Sequence, residues 1–350
     1  MPADPVFPED RVAALPAGNI TLEVVARTAG VSPATVSRIL NGTARVSESK
    51  KAAVMEAIRQ LNYRPNALAR SLAQGRTHSV GVLTQDIASP FYGEALRGVE
   101  DALAGTGMVP LFASGQWNLQ DEVERIEHLL SRRVDGIIIL TGKLSDEQIL
   151  AYAGSVPIVV CGRHLEGSNL VSMRVDNVLG ARLAVRHLIE CGHSRIAHIC
   201  GPAEHVDARD RLRGYQEEMS ESGLELFPEL IVEADFHEAG GVLAINQLLA
   251  SRCSFSAVFA ANDQTAFGVQ LALSRQGIRV PDDLSVLGFD DLLASSYMIP
   301  PLTTVRQPVY EMGCAAAKSL LGMIEGRPIA PVELPPPELI VRASSRLLRR

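Results

Sequence analysis

The stretch Thr21–Asn41, TLEVVARTAGVSPATVSRILN, decides how the rest of the chain is interpreted. Its apolar residues recur at three- and four-residue intervals in two short segments, which predicts two helices with packed inner faces. Gly30 predicts a turn between them, because a residue without Cβ adopts turn conformations at little cost. Ser32 is the predicted N-cap of the second helix and Pro33 its first residue. This pattern is typical of a helix-turn-helix, whose second helix enters the major groove of DNA.

The outer face of the second helix carries the predicted DNA contacts. Arg38 is the candidate base-reading residue, since a guanidinium can form two hydrogen bonds with a guanine edge; a phosphate contact is the alternative. Hydroxyl and amide side chains nearby are of the types that bond phosphates. An ordinary helical hairpin in a larger core is the competing interpretation of this stretch alone. The predicted DNA-binding residues of this region are Thr21, Leu22, Ser32, Pro33, Ala34, Thr35, Ser37, Arg38, Asn41 and Tyr63.

Charge is distributed unevenly along the chain. The 350 residues carry a net charge of −7, yet residues 20–76 hold nine Lys or Arg against three acidic residues, a net of +6. Residues 1–18, an acidic and Pro/Ala-rich leader that we predict to be disordered, carry −2, so residues 77–350 carry −11. A basic module on an acidic body predicts a DNA-binding unit joined to a separate sensor or oligomerisation body.

Other features of the composition narrow the class of protein. No run of about 18 apolar residues is present, so no membrane span is expected. The N-terminus lacks the basic region and apolar core of a signal peptide. The five cysteines are scattered and form no C-x-x-C motif, which favours reduced thiols in a cytoplasmic protein.

From Ser79 onward, continuous apolar strands alternate with amphipathic helices in two successive sets. Such strands are typical of parallel sheets covered by helices on both faces. A third helix over residues 47–61 would close a small core on the first two, and a helix of about two turns after Pro65 would be marginal alone. The predicted fold class is an all-α helix-turn-helix headpiece plus an α/β body of two doubly wound parallel-sheet subdomains.

The run T-L-x-x-V-A-x-x-A-G-V-S-x-x-T-V-S-R-x-L-N, followed by L-N-Y-x-P-N-x-x-A-R-S-L-A, resembles the headpiece and hinge of the lactose-repressor (LacI/GalR) family of bacterial transcription regulators. The resemblance covers roughly residues 20–345. It implies a body like the periplasmic sugar-binding proteins, with a ligand between two discontinuous subdomains. It also implies that Thr35, Ser37 and Asn41 contact phosphates, whereas Pro33 and Ala34 stand where relatives usually carry discriminating side chains.

The resemblance also implies a division into domains. The segment that it assigns to the hinge contains three further expected DNA contacts, Asn66, Arg70 and Leu72. Leu72 is expected to insert between base pairs in the minor groove, with packing between headpiece and body as the alternative. The expected domains are a leader (1–18), a headpiece (19–65), a hinge (66–76) and an effector-binding and dimerisation domain (77–345). Within this last domain we expect an N-subdomain at about 77–176 plus 305–332 and a C-subdomain at about 177–304 plus 333–345.

Polar and aromatic residues just past the predicted strand ends mark a ligand site. The carboxyl ends of parallel strands meet at one edge of a sheet, and aromatic faces with Asp, Asn and Arg suit hydroxyl-rich ligands. Helix capping by Asp263 and a core position for Tyr92 are the alternatives. The predicted effector-binding residues are Phe91, Tyr92, Arg163, Asp207, Arg211, Phe236, Asn262, Asp263 and Asp290. Those that match ligand positions of the resembling family are Phe91, Tyr92, Arg211, Phe236, Asn262 and Asp290.

No catalytic, cofactor or metal site is predicted. The grouping of Cys191, His193, His198 and Cys200 does not supply four converging ligands, because two of these residues alternate along one strand. No phosphate-binding glycine motif or nucleophile motif is present. An enzyme on a doubly wound fold is therefore a remote alternative, as is a transporter's solute-binding protein.

These features predict a ligand-responsive transcriptional regulator, favouring a repressor that binds a pseudo-palindromic operator in double-stranded DNA as a homodimer. A dimer is favoured over a tetramer because no leucine heptads are visible near the C-terminus. The expected effector is a sugar or sugar derivative. A nucleobase or other metabolite acting as a corepressor is the alternative, although Arg163 stands where a purine-type relative would supply an aromatic ring.

Overall fold

The computed structural model describes residues 20–40, 46–63, 75–251, 253–328 and 331–348. The chain divides into two compact units, Met1–Thr77 and His78–Arg350. Each unit is built around its own buried core. The expected leader, and the expected DNA contacts Asn41, Asn66, Arg70 and Leu72, lie outside the described residues.

The described part of the first unit contains three helices: α1 (Leu22–Thr28), α2 (Pro33–Leu40) and α3 (Glu48–Gln60). Five side chains from all three helices form its buried core: Val25, Ala26, Val36, Val54 and Ala57. Such a small core needs all three helices, because helices of this length are marginal alone in water.

The turn between α1 and α2 follows from Gly30 and Ser32, as predicted. Gly30 has a φ of +65°, in the left-handed region where a side chain would be strained. The next amide, that of Val31, donates a hydrogen bond of 3.0 Å to Ala26 O and closes the end of α1. Ser32 Oγ accepts a hydrogen bond of 3.3 Å from the Thr35 amide and caps α2.

The second unit begins with a five-stranded parallel sheet in the order β2-β1-β3-β4-β5. Its strands are β1 (Ser79–Thr84), β2 (Val109–Ser114), β3 (Gly136–Leu140), β4 (Ile158–Cys161) and β5 (Leu170–Met173). Three helices follow the first three strands: α4 (Pro90–Leu103), α5 (Leu119–Ser131) and α6 (Asp146–Ala153). Alternate side chains of β3 enter two separate apolar cores, which explains why this strand is apolar throughout.

A second sheet has six strands in the order β11-β10-β9-β8-β6-β7. Its strands are β6 (Ile196–Cys200), β7 (Ile231–Glu233), β8 (Ala257–Ala260), β9 (Ser285–Asp290), β10 (Thr303–Arg306) and β11 (Glu338–Ile340). The helices α7 (Asn177–Glu190), α8 (Val206–Glu221), α9 (Glu238–Ala250) and α10 (Asp263–Arg275) belong to it. The sequence predicted a parallel sheet, and the pairings among β6, β7, β8, β9 and β10 are indeed parallel. The edge strand β11 is the exception, because it is antiparallel to β10.

The last helix, α11 (Val309–Ile324), returns to the first sheet and packs on α4. The two helices approach closely at Gly98, where an added Cβ would lie 2.2 Å from Tyr310 O. We call the first sheet with α4, α5, α6 and α11 the N-lobe, and the second sheet with α7–α10 the C-lobe. The N-lobe was expected to include residues from 305 onward, but β10 pairs with β9, so the chain crosses only after Arg306.

Three short connections join the lobes: the segments between β5 and α7, between β10 and α11, and between α11 and β11. Because both sheets point their strand ends toward these crossings, the loops after the strands face one another across a cleft. The described helices are too short or too polar to span a membrane.

His198, on β6, is a buried titratable group in the core of the C-lobe. Its ring stacks between Tyr215 and Phe259, with centroid distances of 5.0 and 4.7 Å. Its Nδ1 lies 2.9 Å from Phe259 O, while Nε2 has no hydrogen-bond partner among the described residues. Burial lowers the pKa of His198 from 6.5 to about 4, so the ring is neutral at physiological pH.

We expect His198 to make the stability of the body fall on acidification. Between pH 6.5 and about 4 the His198 ring is protonated in the unfolded chain but remains neutral in the folded one. The free energy of unfolding therefore decreases as the pH falls through this window. In His198→Phe, which retains a ring between Tyr215 and Phe259, this decrease should be smaller. Urea unfolding followed by the fluorescence of Trp117 measures it.

The matched control is His164→Gln, because the His164 side chain is 70% exposed. This variant should keep the pH dependence of the unmodified chain. Equal slopes for His198→Phe and the unmodified chain would contradict the assignment.

Candidate functional site

The N-terminal half of α2 presents a small polar surface on the headpiece. Pro33, Ala34 and Arg38 are exposed, and Thr35 is half-buried. The Arg38 Nε donates a hydrogen bond of 3.2 Å to Ala34 O, which holds the side chain along the helix. Arg38 is exposed, and its terminal guanidinium nitrogens form no ion pair or hydrogen bond with another side chain of the described residues. The surface thus has one long cationic side chain among small neighbours.

Three predicted DNA contacts, Leu22, Tyr63 and Thr21, also occupy structural positions in the headpiece. Leu22 and Tyr63 pack against the headpiece core and contribute to its stability. Thr21 occupies the N-cap position of α1, but its side chain makes no capping hydrogen bond; its carbonyl accepts the amides of Val24 and Val25 instead. An apolar side chain half-buried in a core exposes only part of its surface to a ligand. Sequence patterning did not distinguish these packing positions from contact positions.

Seven of the nine predicted effector residues line one chamber in the cleft between the lobes. This inner chamber has a volume of about 60 Å³. The N-lobe contributes Phe91 and Tyr92, and the C-lobe contributes Asp207, Arg211, Phe236, Asn262 and Asp290. Ligand pockets usually have volumes of roughly 300–1,000 Å³, so the lobes are close together in this structure.

Arg211, on α8, is the buried cation of the chamber. Its Nε donates a hydrogen bond of 2.8 Å to Asn177 Oδ1, and its Nη1 donates one of 2.6 Å to Ala261 O. Its Cζ lies 4.0 Å from the centroid of the Phe289 ring, and Nη1 lies 3.8 Å from Asp290 Oδ1. A buried charge needs such partners because desolvation is costly. They fix the plane of the guanidinium toward the chamber.

Asp290 is the last residue of β9, whereas the sequence analysis placed it beyond the strand. Its φ of +122° is unusual for a residue with a side chain and turns the chain sharply into the following loop. Gln307 Nε2 donates a hydrogen bond of 2.7 Å to Asp290 Oδ1. Burial raises the pKa of Asp290, and the charge of Arg211 opposes this effect. Gln307 is part of the site that sequence reasoning missed.

Phe236 and Asn262 form one structural unit on the C-lobe side. The Asn262 Nδ2 donates a hydrogen bond of 2.9 Å to Phe236 O, while its Oδ1 accepts the Thr265 amide at the start of α10. The Phe236 ring lies over Gly201, where an added Cβ would be 2.2 Å from Cζ. A side chain at position 201 would therefore displace the aromatic wall. Phe236 itself has a φ of +67°, held by these contacts.

Asp207 completes the polar wall of the chamber. Its Oδ1 accepts a hydrogen bond of 3.0 Å from Asn177 Nδ2, so one Asn177 amide positions both Asp207 and Arg211. Burial raises the pKa of Asp207, again opposed by Arg211. For Tyr92 the sequence left two interpretations open, a ligand contact and a core position, and the structure agrees with features of both. Its ring is in the N-lobe core, and its hydroxyl lies 2.9 Å from Thr141 Oγ1 at the chamber wall.

Arg163 does not line the inner chamber. Its guanidinium donates hydrogen bonds of 2.7 Å to Gly142 O and to Leu144 O and also contacts Asp146 Oδ1 at 3.1 Å. These contacts anchor the loop after β3. Arg163 lines a second, larger space beside the first, which we call the outer chamber, with a volume of about 820 Å³.

Asp263 was predicted to bind the effector but is fully buried beneath the chamber wall. Its carboxylate accepts hydrogen bonds from the Leu292 amide at 2.8 Å and from the hydroxyls of Ser295 and Thr304 at 2.5 Å each. These donors lie in the loop after β9 and on β10. Asp263 therefore fixes the loop that follows Asp290, and Asn262 is the residue that caps α10.

The sequence analysis missed three residues that join the lobes across the cleft. Trp117 of the N-lobe contacts His205 of the C-lobe, with ring centroids 4.0 Å apart. Ser89 Oγ donates a hydrogen bond of 3.2 Å to Gln264 Oε1. Trp117, His205 and Gln264 all lie within a few residues of a strand end, so the strand-end rule used for the other residues could have found them. Burial lowers the pKa of His205 to about 4, so its ring is neutral.

The cysteines and histidines of the C-lobe have structural roles. All five cysteines are free thiols. His193 lies within hydrogen-bond distance of the hydroxyls of Ser256 and Ser285, at 2.8 and 3.1 Å. Among the described residues, no group of three or more His, Cys, Asp or Glu is arranged to hold a metal ion.

Comparisons with known proteins agree with this architecture. The family model for bacterial regulatory proteins of the lacI family matches residues 21–66, and a periplasmic binding protein-like domain matches residues 185–345. Over 331 residues the chain is 38% identical to the HTH-type transcriptional regulator GalR of Escherichia coli (strain K12), a match that covers 94% of both proteins. The chain belongs to the lacI family. It is thus a helix-turn-helix transcriptional regulator, like its relatives.

Other lacI-family members extend the comparison. The ribose operon repressor of Escherichia coli (strain K12) is 38% identical over 306 residues, covering 87% of this chain and 93% of that protein. A lac repressor dimer bound to operator and the anti-inducer ONPF has a TM-score of 0.84 at 29% identity, covering 94% of this chain and all of that one. A complex of the regulator CelR with cellobiose has a TM-score of 0.70 at 37% identity, covering 93% and 100% of the two chains.

We expect Asp263→Asn to destabilise the body. An amide at this position would direct an NH₂ group toward at least one of the three donors, leaving a buried donor without an acceptor. This change should cost about 1–3 kcal/mol in the free energy of unfolding. Urea unfolding of the purified chain measures the loss.

The control is Asp176→Asn, at the N-cap of α7, where Asp176 Oδ1 accepts the Leu179 amide. Asn is as good an N-cap as Asp, so this variant should change stability by less than about 0.5 kcal/mol. Similar small effects of the two substitutions would contradict the role of Asp263 as the acceptor that fixes the loop after β9.

Proposed function

We propose that the chain is a repressor that binds a pseudo-palindromic operator as a homodimer and is controlled by a sugar or sugar derivative in the cleft. The observation that carries this proposal is the inner chamber. There, a fixed guanidinium and carboxylates from the C-lobe meet aromatic rings from both lobes. A ligand held by both lobes changes their separation, which is the motion a regulator of this build can use. We place its action in the cytoplasm.

DNA recognition is assigned to α2 and the segment after α3. Arg38 is the proposed base-reading residue, because it is the long exposed side chain with donors to spare on the outer face of α2. Thr35, Ser37 and Asn41 are the proposed phosphate contacts. Pro33 and Ala34 offer only shape or a contact with a thymine methyl, so base discrimination at this surface would depend mainly on Arg38. Asn66, Arg70 and Leu72 stay proposed contacts of the hinge.

The chemistry of the inner chamber supports a carbohydrate. Arg211, Asp290 and Asp207 provide hydrogen-bond donors and acceptors in fixed positions, which can distinguish the orientation of hydroxyl groups. Phe236 and Phe91 provide flat apolar surfaces against which the C–H face of a sugar ring can pack. Relatives named for ribose and in complex with cellobiose agree with this class of ligand.

Control of DNA binding would follow from the cleft. If the effector favours one separation of the lobes, and the operator favours another, the two ligands are coupled through a single free energy. Such coupling is reciprocal, so operator DNA must alter the affinity for the effector by the same factor. The proposed hinge, residues 66–76, is the segment through which this coupling would pass. The proposed subdomains follow the crossings, with the second crossing after Arg306.

We expect Arg38→Ala to weaken and broaden DNA recognition. A selection from random duplexes first defines the preferred half-site of the unmodified chain, and fluorescence anisotropy then gives affinities. Loss of a bidentate contact with a guanine should weaken binding to that site by roughly 1–3 kcal/mol and relax the preference at one position. A uniform loss across all sequences would identify Arg38 as a phosphate contact instead.

The control for this experiment is Arg59→Ala. Arg59 is an exposed cation of the same headpiece, but it lies on α3 and pairs with Glu56. We expect its removal to leave the selected sequence preference unchanged.

We expect a sugar to raise the melting temperature of the full chain and to change its affinity for the selected operator. A panel of monosaccharides, disaccharides, sugar acids and nucleobases tests this by thermal shift. For a sugar that binds, Arg211→Lys should reduce the affinity by at least about 10-fold, because Lys cannot maintain the planar pattern of donors. Arg213→Lys, two residues further along α8 and exposed, is the matched control and should have little effect. Stabilisation by a nucleobase and by no sugar would refute the carbohydrate assignment.

A further inference from the structure

The outer chamber is a second space that adjoins the inner one. Its volume of about 820 Å³ lies within the range of ligand pockets, whereas the inner chamber has only about 60 Å³. Trp117, His205 and Asp207 line both chambers and form the partition between them. A ligand that enters the inner chamber through this partition can therefore extend into the outer one.

The partition is the centre of a row of rings that crosses the cleft. On the N-lobe side, the centroid of Tyr92 lies 6.2 Å from that of Trp117. On the C-lobe side, the centroid of His205 lies 5.5 Å from that of Phe236. The Trp117–His205 contact, at 4.0 Å, is where the two lobes meet. Trp117 is also the only tryptophan of the chain, so its ring is a unique large aromatic surface.

The backbone that carries Trp117 is strained and specifically supported. Gln116 and Trp117 have φ values of +50° and +55°, in the left-handed region that residues with side chains rarely adopt. The fully buried Gln85 holds them: its carbonyl accepts the Gln116 amide at 2.8 Å, and its Oε1 accepts the Trp117 amide at 3.2 Å. Strained residues persist only where the surroundings fix them, and they cluster at ligand-binding positions.

The opposite wall of the outer chamber is also held in place by hydrogen bonds. The buried Glu122 carboxylate accepts the amides of Lys143 and Leu144 at 2.9 and 3.0 Å, and Arg163 binds the same loop from the other side. The Lys143 Nζ lies 3.6 Å from Glu204 of the C-lobe. Lys143 and Arg163 are thus already paired with acidic groups or carbonyls, and the wall offers further polar groups that a hydroxyl-bearing ligand can contact.

We propose that the effector is longer than one sugar ring: one ring occupies the inner chamber, and a second sugar unit occupies the outer chamber against the face of Trp117. This inference rests on the proposed sugar response and specifies its substrate class as a disaccharide or longer glycoside. Binding opens the Trp117–His205 contact, and the second sugar ring replaces His205 as the neighbour of Trp117. Trp117 is then a specificity-determining residue for the second unit.

Matched pairs of sugars test this proposal: D-glucose with cellobiose, and D-galactose with lactose. Each is titrated into the full chain by calorimetry. Excitation of the single tryptophan reports whether the surroundings of Trp117 change. We expect one disaccharide to bind about 10-fold more tightly than its monosaccharide and to shift the tryptophan emission, which corresponds to the contribution of one aromatic surface.

Variants separate the two chambers. Trp117→Ala should remove the roughly 10-fold advantage of the disaccharide, so that the ratio of the two affinities falls toward one, while Trp117→Phe should retain most of the advantage. Phe236→Ala, in the inner chamber, should weaken both members of the pair by the same factor. Trp117→Phe preserves the ring and keeps the test valid if Trp117→Ala folds poorly.

The outcomes distinguish this inference from the proposed function. A monosaccharide that binds as tightly as its disaccharide, or an equal loss of both in Trp117→Ala, overturns the two-chamber inference and leaves the sugar response intact. If no sugar of the thermal-shift panel binds, the sugar response itself is overturned, and the two-chamber inference with it.

Discussion

The buried guanidinium of Arg211 is the interaction on which the body depends. Its charge is removed from water, and this cost is offset by Asn177, the carbonyl of Ala261, the ring of Phe289 and the nearby carboxylate of Asp290. These partners come from α7, β9 and the segment after β8, so one side chain ties together three parts of the C-lobe. The same contacts fix the donors that face the cleft. A binding group is therefore held by the fold itself, with no need to order it when a ligand arrives.

The sequence predicted the parts of the site that follow from periodicity. Parallel strands must end at one edge of a sheet, so Arg211, Phe236 and Asn262 could be placed together without coordinates. Asp263 shows the limit of this rule, because its carboxylate is directed by donors that lie 29 residues or more further along the chain. Trp117 shows another limit. The direction of its side chain depends on positive φ values at Gln116 and Trp117, and neither position is a glycine that would indicate such a conformation in the sequence. The headpiece shows the same limit. Leu22 is apolar whether it contacts DNA or packs against the core, so its residue type alone could not distinguish the two positions.

Few polar and aromatic contacts of the described residues cross the cleft between the two lobes. Three short connections link them, and across the cleft the described contacts are few: the Trp117–His205 pair, the Ser89–Gln264 hydrogen bond and the Lys143–Glu204 pair. Each is worth little alone, because an exposed ion pair contributes on the order of 1 kcal/mol or less, and an aromatic pair contributes about 0.5–1.5 kcal/mol beyond its burial. Their sum is small enough for a ligand of modest affinity to exceed. The cores of the lobes, in contrast, are densely packed.

A neutral His205 suits the contact between the lobes better than a permanently charged residue would. The pKa of His205 is lowered to about 4, chiefly by burial; the charge of Glu204 opposes this shift, and the charges of Lys143, Arg209 and Arg211 add to it. The ring is therefore neutral at physiological pH and can pack on Trp117 without a desolvated charge. Protonation would place a charge at this partly buried position, at a cost in desolvation. Because the ring stays neutral at physiological pH, the Trp117–His205 contact does not change with pH in that range.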